Sequence, residues 1–234
     1  MATKGVRYLL AVLTCGRPDY LRRTLEAYAD FLDPQPEALL VWDDGLQTPV
    51  ETFSPFSHLG QVVEGKEGKL GTFAAHAELW RATRRAEYDH LDYVFVAEDD
   101  VLLLRPLNVT WMRELLDTEP DLEQVALVRA PYPCGAGAEM AMGGFIPMFP
   151  DRYNRRTTTI GDNTCKWISS QWDWTSSPAL LRMSLTREVD WPIHDSERAL
   201  GPLLMERNPN AVSGYWGWGE AICSHIGLES GGLY

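Results

Sequence analysis

Basic residues are scarce in this chain of 234 residues: Lys and Arg number 21 against 33 Asp and Glu, a formal net charge of −12. That deficit argues against general nucleic-acid binding, which needs a surplus of cations to neutralise phosphates. It says nothing against a local basic patch, or against carboxylates that grip a cation. Long apolar runs are lacking too. The longest uninterrupted one near the start, Tyr8–Leu13, falls far short of the roughly 20 residues that a bilayer span requires, so no membrane insertion is expected. A signal-peptide pattern is missing, because Lys4 and Arg7 are followed only by that short run and then by polar Thr14. Cysteines are few. Cys15, Cys134, Cys165 and Cys223 include no C-x-x-C pair, which argues against structural zinc and against a small disulfide scaffold. They read as reduced thiols of a cytoplasmic protein. No repeat period and no low-complexity segment is visible.

What is present is enough apolar material, 45% of residues, for one sizeable core or two small lobes sharing one. The first 130 residues alternate strand-like and helix-like patterns. Tyr8–Leu13 reads as a strand buried on both faces of a parallel sheet. It ends at Thr14-Cys15-Gly16-Arg17-Pro18, where Pro suits the first position of a helix. Leu21, Leu25, Tyr28 and Leu32 then recur at helical spacing, stopping before Pro34. Ala38–Trp42 reads as a second strand closed by Asp43-Asp44-Gly45, Val62-Val63 as a short third, and residues 65–71 as a polar loop. Phe73, Ala77 and Trp80 mark one helix face. Tyr93–Ala97 is a fourth strand closed by Glu98-Asp99-Asp100, and Val125–Arg129 another. This rhythm predicts an α/β sheet with right-handed crossovers, whose ligands sit beyond the carboxyl ends of the strands. Both acidic clusters fall there.

After Ala130 the periodicity lapses. Residues 131–161 read as a long loop, with a lid over the site extending to about 165. Six of the nine Trp lie between Trp167 and Trp218, so the second half reads as a smaller, irregular lobe. Ser196–Arg207 is expected to be a helix.

Glu98-Asp99-Asp100 is the strongest chemical signal. Three adjacent carboxylates repel one another, and burying them without a cation is costly. Successive strand side chains point to opposite faces, so Glu98 and Asp100 should project together and Asp99 away. A hard divalent ion, Mn²⁺ or Mg²⁺, takes such oxygen ligands and keeps room for substrate phosphates.

With these residues in view, the chain resembles the GT-A glycosyltransferases that use nucleotide-diphosphate sugars. Tyr8–Thr14 followed by Arg17-Pro18-x-x-Leu21 is similar to the opening of family-2-type members. Val41-Trp42-Asp43-Asp44-Gly45 is similar to their second-strand signature. Glu98-Asp99-Asp100 resembles their D-x-D metal motif, in the E-D-D form of N-acetylglucosaminyltransferases of the complex-glycan pathway. The resemblance covers about residues 6–130. It implies one GT-A domain over 1–234, Rossmann-like, with the nucleotide-sugar half at about 6–130 and the acceptor half at about 131–234. It further implies that Asp100 ligates the metal, that Glu98 and Asp99 contact the donor sugar and ribose or the ion through water, and that Asp44, with Asp43 beside it, receives the nucleoside. Thr14 and Arg17 lie in the first loop, where Arg17 can meet the diphosphate. Lys69, ahead of a helix N-terminus, is a second phosphate candidate. Many such enzymes add a histidine ligand near the C-terminus, and His225 fits that place. His58, His76, His90 and His194 read as structural or exposed.

Inverting transfer to an acceptor hydroxyl needs a carboxylate base. Downstream candidates are Asp173, Asp190, Asp195, Glu197 and Glu220; the resemblance favours Asp195, just before the helix at Ser196, with Glu197 and Glu220 next. Asp195 also reads as an ordinary N-cap. Flat aromatic faces stack on pyranose rings, so Trp172, Trp174, Trp216 and Trp218 are the acceptor candidates. The implied activity is metal-dependent transfer of a hexosyl or N-acetylhexosaminyl group from a UDP-sugar, or alternatively a GDP-sugar, to a glycan, protein or small molecule, with a modified nucleic-acid base not excluded. Two rival readings are a sugar-phosphate nucleotidyltransferase, which usually opens with a Gly-rich loop absent at Thr14–Pro18, and a non-catalytic sugar-binding module, which an intact acidic motif disfavours.

Overall fold

The computed structural model describes residues 5–45, 48–66, 68–130, 149–175, 178–193, 196–218 and 220–227. The chain opens with β1 (Tyr8–Thr14), α1 (Pro18–Phe31), β2 (Leu32–Asp33), β3 (Ala38–Asp44), β4 (Gly60–Lys66), α2 (Thr72–Ala82) and β5 (Tyr93–Glu98). There follow β6 (Val101–Leu103), β7 (Leu107–Asn108), α3 (Val109–Thr118), β8 (Leu122–Ala126), β9 (Asn154–Ile160), β10 (Asn163–Ser170) and β11 (Ala179–Arg182). The described chain closes with α4 (Met183–Glu188), α5 (Ser196–Arg207), β12 (Val212–Trp216) and β13 (Cys223–His225).

A nine-stranded sheet in the order β4-β3-β1-β5-β11-β8-β12-β10-β9 dominates the molecule. The pairings set seven strands in one direction, with β10 and β11 opposed. β1 is buried at every residue, as a strand covered on both faces must be. Its alternation divides the core in two. Tyr8, Leu10 and Val12 pack with Leu21, Leu25 and Tyr28 of α1 and with Met112 and Leu115 of α3. Leu9, Ala11 and Leu13 pack with Ala75, Leu79 and Trp80 of α2 and with Leu200 and Leu204 of α5. The expected mixed α/β architecture, a mostly parallel sheet flanked by helices, is therefore the one observed.

Three expectations are corrected. The segment 154–165 is no loop: β9 pairs antiparallel with β10 in the register Asn163↔Ile160 to Ser169↔Asn154. β9 is an edge strand with mostly exposed polar side chains, so it carries no apolar pattern, and only the β-branched run Thr157–Thr159 favours a strand. Of the rest of the expected lid, residues 149–153 include a single helical turn at Pro150–Arg152, and residues 131–148 lie outside the described residues. The second half, expected to be irregular, supplies β9 to β12 to the sheet begun by β1. Finally, of the residues expected to mark the inward face of α2, Ala77 and Trp80 are buried but Phe73 is 47% exposed; Ala75, His76, Leu79 and Ala82 complete the buried set.

Candidate active site

The site follows from where parallel strands end. Leu13 of β1 pairs with Glu98 of β5, and Thr14 with Asp43 of β3. Thr14, Asp43-Asp44 and Glu98-Asp99-Asp100 thus share the carboxyl edge, the usual place for ligands in such sheets.

Alternation along β5 assigns each acid a side. Phe95 and Ala97 face the α1 core and Val94 and Val96 the α2 core. Glu98 therefore falls on the α2 side, where His76 Nε2 lies 3.3 Å from its Oε1. Asp99 turns toward α1: Thr14 Oγ1 donates to its Oδ2 at 2.6 Å and Arg17 Nε to the same oxygen at 3.2 Å. Its backbone carbonyl accepts from Thr24 Oγ1 at 2.7 Å. Asp100 meets Arg17 Nη1 at 2.8 Å through Oδ2 and His225 Nε2 at 3.3 Å through Oδ1. His225 arrives because β13 pairs antiparallel with β6, setting His225 opposite Val101. Ile226 N–H then donates to the Asp100 carbonyl at 2.7 Å. Ligand atoms from Glu98, Asp100 and His225 all lie within 4.8 Å of one another.

That donor set fits a hard divalent ion. Bonds of about 2.1 Å set opposite ligands about 4 Å apart around one octahedral ion, so a small contraction closes the three onto it. Two carboxylates and an imidazole suit Mn²⁺, and carboxylates with water suit Mg²⁺.

Burial and charge oppose each other here. Burial raises the Glu98 carboxyl, but the His76 contact, Arg129 and His225 outweigh it and hold the group down at about 2. Burial pushes Asp99 up, Arg17 pulls it down and Asp100 pushes it up again, leaving it at about 6. His225 sits below its ordinary value because burial outweighs the pull of Asp100 and Glu98, which favours the neutral imidazole. Burial also disfavours the Arg17 cation, yet Asp99 and Asp100 keep it firmly charged.

A stability profile follows from the two acids. Glu98 contributes stability above its unfolded midpoint of 4.5, and this is lost as pH falls toward about 2. Asp99 has the opposite sign: its contribution is complete below 3.8 and is lost as pH rises through about 6. For Asp99 that is on the order of 3 kcal/mol between pH 4 and pH 7. Denaturant unfolding in EDTA should show the parent losing stability over this range relative to Asp99→Asn, and parallel curves for the two proteins would contradict it.

Gly227 completes the pocket wall. A Cβ there would lie 2.3 Å from Asp100 Oδ2 and 3.1 Å from His225 Cε1. Asp100 is fully buried and held by Arg17, so it cannot move freely. Gly227→Ala should cost about 1–3 kcal/mol and weaken Mn²⁺ binding at least tenfold, both readable by melting curves with and without the ion. An unchanged melting point and affinity would refute the close packing.

The other expected donor-side residues have definite places. Asp44 accepts from Leu70 N–H at 2.7 Å and Gly71 N–H at 3.0 Å, fastening the loop ahead of α2 to the end of β3. Asp43 accepts from Thr48 N–H at 2.7 Å. Lys69 is exposed in the fastened loop, near enough to the first loop for its charge to act on Cys15.

Only some of the expected bases fall among the described residues. Asp195 and His194 lie outside the described residues, and Glu197 falls in the first turn of α5. Glu220 is largely exposed and pairs with Arg105 at 3.1 Å; Asp190 is exposed and pairs with Arg84 at 2.7 Å. Asp173 lies beside Ser170 after β10.

The tryptophans do not form one surface either. Trp174 is a core residue, its indole covering Gly201 and its Nε1 donating to Gln171 O at 3.1 Å. Trp216 is half-buried against the α1-side core. Trp218 is exposed beside β10, with Lys166 Nζ 4.5 Å from the ring centroid. Trp172, 71% exposed, lies two residues past the end of β10, the opposite end from Lys166 and Trp218.

Two residues near the acids escaped the sequence reading. His76 sits on the inward face of α2, four residues before Trp80, and a histidine in an otherwise apolar stripe was its only signal. Arg129 acts electrostatically on both Glu98 and His225, and nothing local marks it.

No family model and no curated protein matches the chain. Solved structures do. A crystal structure of S. aureus TarS spanning residues 1–349 superposes with a TM-score of 0.56 at 12% identity, covering 94% of this chain and 60% of that one. Another TarS structure gives 0.59 at 12% identity, covering 94% and 37%. The mannosyltransferase PcManGT from Pyrobaculum calidifontis, in complex with GDP-Man and Mn²⁺, gives 0.57 at 13% identity, covering 96% and 58%. The chain therefore spans between 37% and 60% of these similar proteins. At such identities the likeness is one of fold.

Proposed function

We propose that the chain is a glycosyltransferase of the GT-A type, moving a sugar from a nucleoside-diphosphate sugar to an acceptor hydroxyl. The observation that carries this reading is the convergence of Glu98, Asp100 and His225 at the carboxyl end of β5. A fold shared with a mannosyltransferase whose complex holds GDP-Man and Mn²⁺ supports it. Asp100 and His225 would hold a divalent ion, Mn²⁺ or Mg²⁺, with Glu98 as third ligand or as a contact to the donor sugar; Glu98-Asp99-Asp100 is then the E-D-D form of the metal motif in a family-2-like enzyme. Bound there, the ion supplies Lewis-acid neutralisation of a departing diphosphate. Arg17, oriented by Asp99, presents a fixed positive charge on the same side. Thr14 fixes Asp99. Asp43 and Asp44 shape the nucleoside end of the cleft, and the loop that Asp44 fastens carries Lys69 toward the phosphates.

Acceptor chemistry falls to the second half of the chain. Trp218 offers an exposed ring beside Lys166, with Trp216 behind it. Asp195 remains the proposed base for inverting transfer, with Glu197 and Glu220 next. The donor sugar is a hexose or an N-acetylhexosamine carried on UDP or GDP, and the acceptor a glycan, protein or small molecule.

A thermal-shift screen tests the reading directly, because a ligand that binds the folded state raises its stability by mass action. UDP or GDP should stabilise the parent only when Mn²⁺ is present, and Asp100→Ala should abolish the shift. Equal shifts in parent and Asp100→Ala would reject the assignment. Asp195→Asn should retain the shift and lose transfer; full transfer would remove Asp195 as base.

A further inference from the structure

We infer that His76 is a positioning residue that holds Glu98 for the divalent ion, an inference that rests on the metal reading above. His76 lies one turn into α2 and is buried. Its Nδ1 is 2.9 Å from the Thr72 carbonyl oxygen and its Nε2 3.3 Å from Glu98 Oε1. The two ring nitrogens thus face the Thr72 carbonyl and the Glu98 carboxylate. The ring plane is fixed as well. It stacks on Trp191 at 5.7 Å with an interplanar angle of 19°, and Trp191 packs at 4.9 Å against Trp80. Trp80 Nε1 donates to Val189 O at 2.7 Å and Arg84 Nη2 to the same oxygen at 2.9 Å, tying the 189–191 segment to α2.

Held on its face by Trp191 and at Nδ1 by the Thr72 carbonyl, His76 turns its Nε2 toward Glu98 and steadies it. Such a contact matters because Glu98 stands beside the buried Asp100 carboxylate, and like charges at close range drive one side chain away or protonate it. Hydrogen-bond partners behind a metal ligand typically change metal affinity by about 10–100-fold. His76 does this through Glu98 and touches neither ion nor substrate.

Mn²⁺ titrations followed by electron paramagnetic resonance test the inference without any turnover. His76→Phe keeps a ring to stack on Trp191 and removes both donors; His76→Leu replaces it should the ring variant not fold. His76→Gln returns a donor near the Nε2 position. His76→Phe should bind Mn²⁺ at least tenfold more weakly than the parent, His76→Gln should recover most of the loss, and combining His76→Phe with Glu98→Gln should cost no more than Glu98→Gln alone. Parent-like affinity in His76→Phe, no recovery in His76→Gln, or additive losses in the double variant each overturn it. A parent that fails to bind Mn²⁺, or whose binding survives Asp100→Ala, removes the metal reading and this inference with it. Loss of binding in Asp100→Ala alone, with His76→Phe unaffected, removes only this inference.

Discussion

Replacing Arg17 with methionine is expected to destabilise the metal-free protein by about 3–5 kcal/mol, the usual cost of removing one partner from a buried ion pair. Asp99 and Asp100 are both fully buried, and Arg17 contacts the carboxylates of both. Methionine keeps the apolar stem and removes the cation, so the two acids are left to repel each other. In a chain of this size the melting point should fall by roughly 6–20 °C. Because Mn²⁺ would restore positive charge at the same carboxylates, it should stabilise Arg17→Met more than it stabilises the parent. A variant that melts with the parent in EDTA, or gains no more than the parent from Mn²⁺, would contradict the electrostatic account of the site.

Asp100→Asn should move two properties in opposite directions. Mn²⁺-dependent binding of UDP or GDP should fall at least 100-fold, since Asp100 alone sits between Arg17 and His225. Metal-free stability should hold or rise, because Asp99 then shares Arg17 without a like charge beside it. The rise of Asp99 to about 6 owes part of its size to Asp100, so the decline in stability between pH 4 and pH 7 should also shrink. Binding isotherms and denaturant curves on one preparation separate these effects. Parallel loss of stability and binding would mean that Asp100 is a structural acid only.

Much of this geometry was readable from residue order. β1, β3 and β5 announced themselves as apolar runs because both their faces are covered. The period of two along β5 then put Glu98 and Asp99 on opposite sides, with Asp100, just past the strand, meeting Arg17 as Asp99 does. What stayed hidden has physical reasons. β9 is a polar edge strand, and β11 is only four residues long, so neither shows a period. Trp174 and Trp218 share a residue type and a neighbourhood in sequence, but burial is decided by tertiary packing: Trp174 lies over Gly201, whereas Trp218 stands exposed beyond β12. His76 lies 22 residues before Glu98, on another element. Only the crossover from α2 to β5 brings them together.

On the proposed reading, Glu98, Asp100 and His225 hold a divalent ion that meets a nucleoside diphosphate. Anomalous diffraction from a crystal grown with MnCl₂ and GDP or UDP tests it most directly. The account predicts a manganese peak bonded to Asp100 and His225, with diphosphate oxygens completing its coordination. A nucleotide bound elsewhere, with Arg17 still on Asp100 and no manganese peak beside His225, would contradict it.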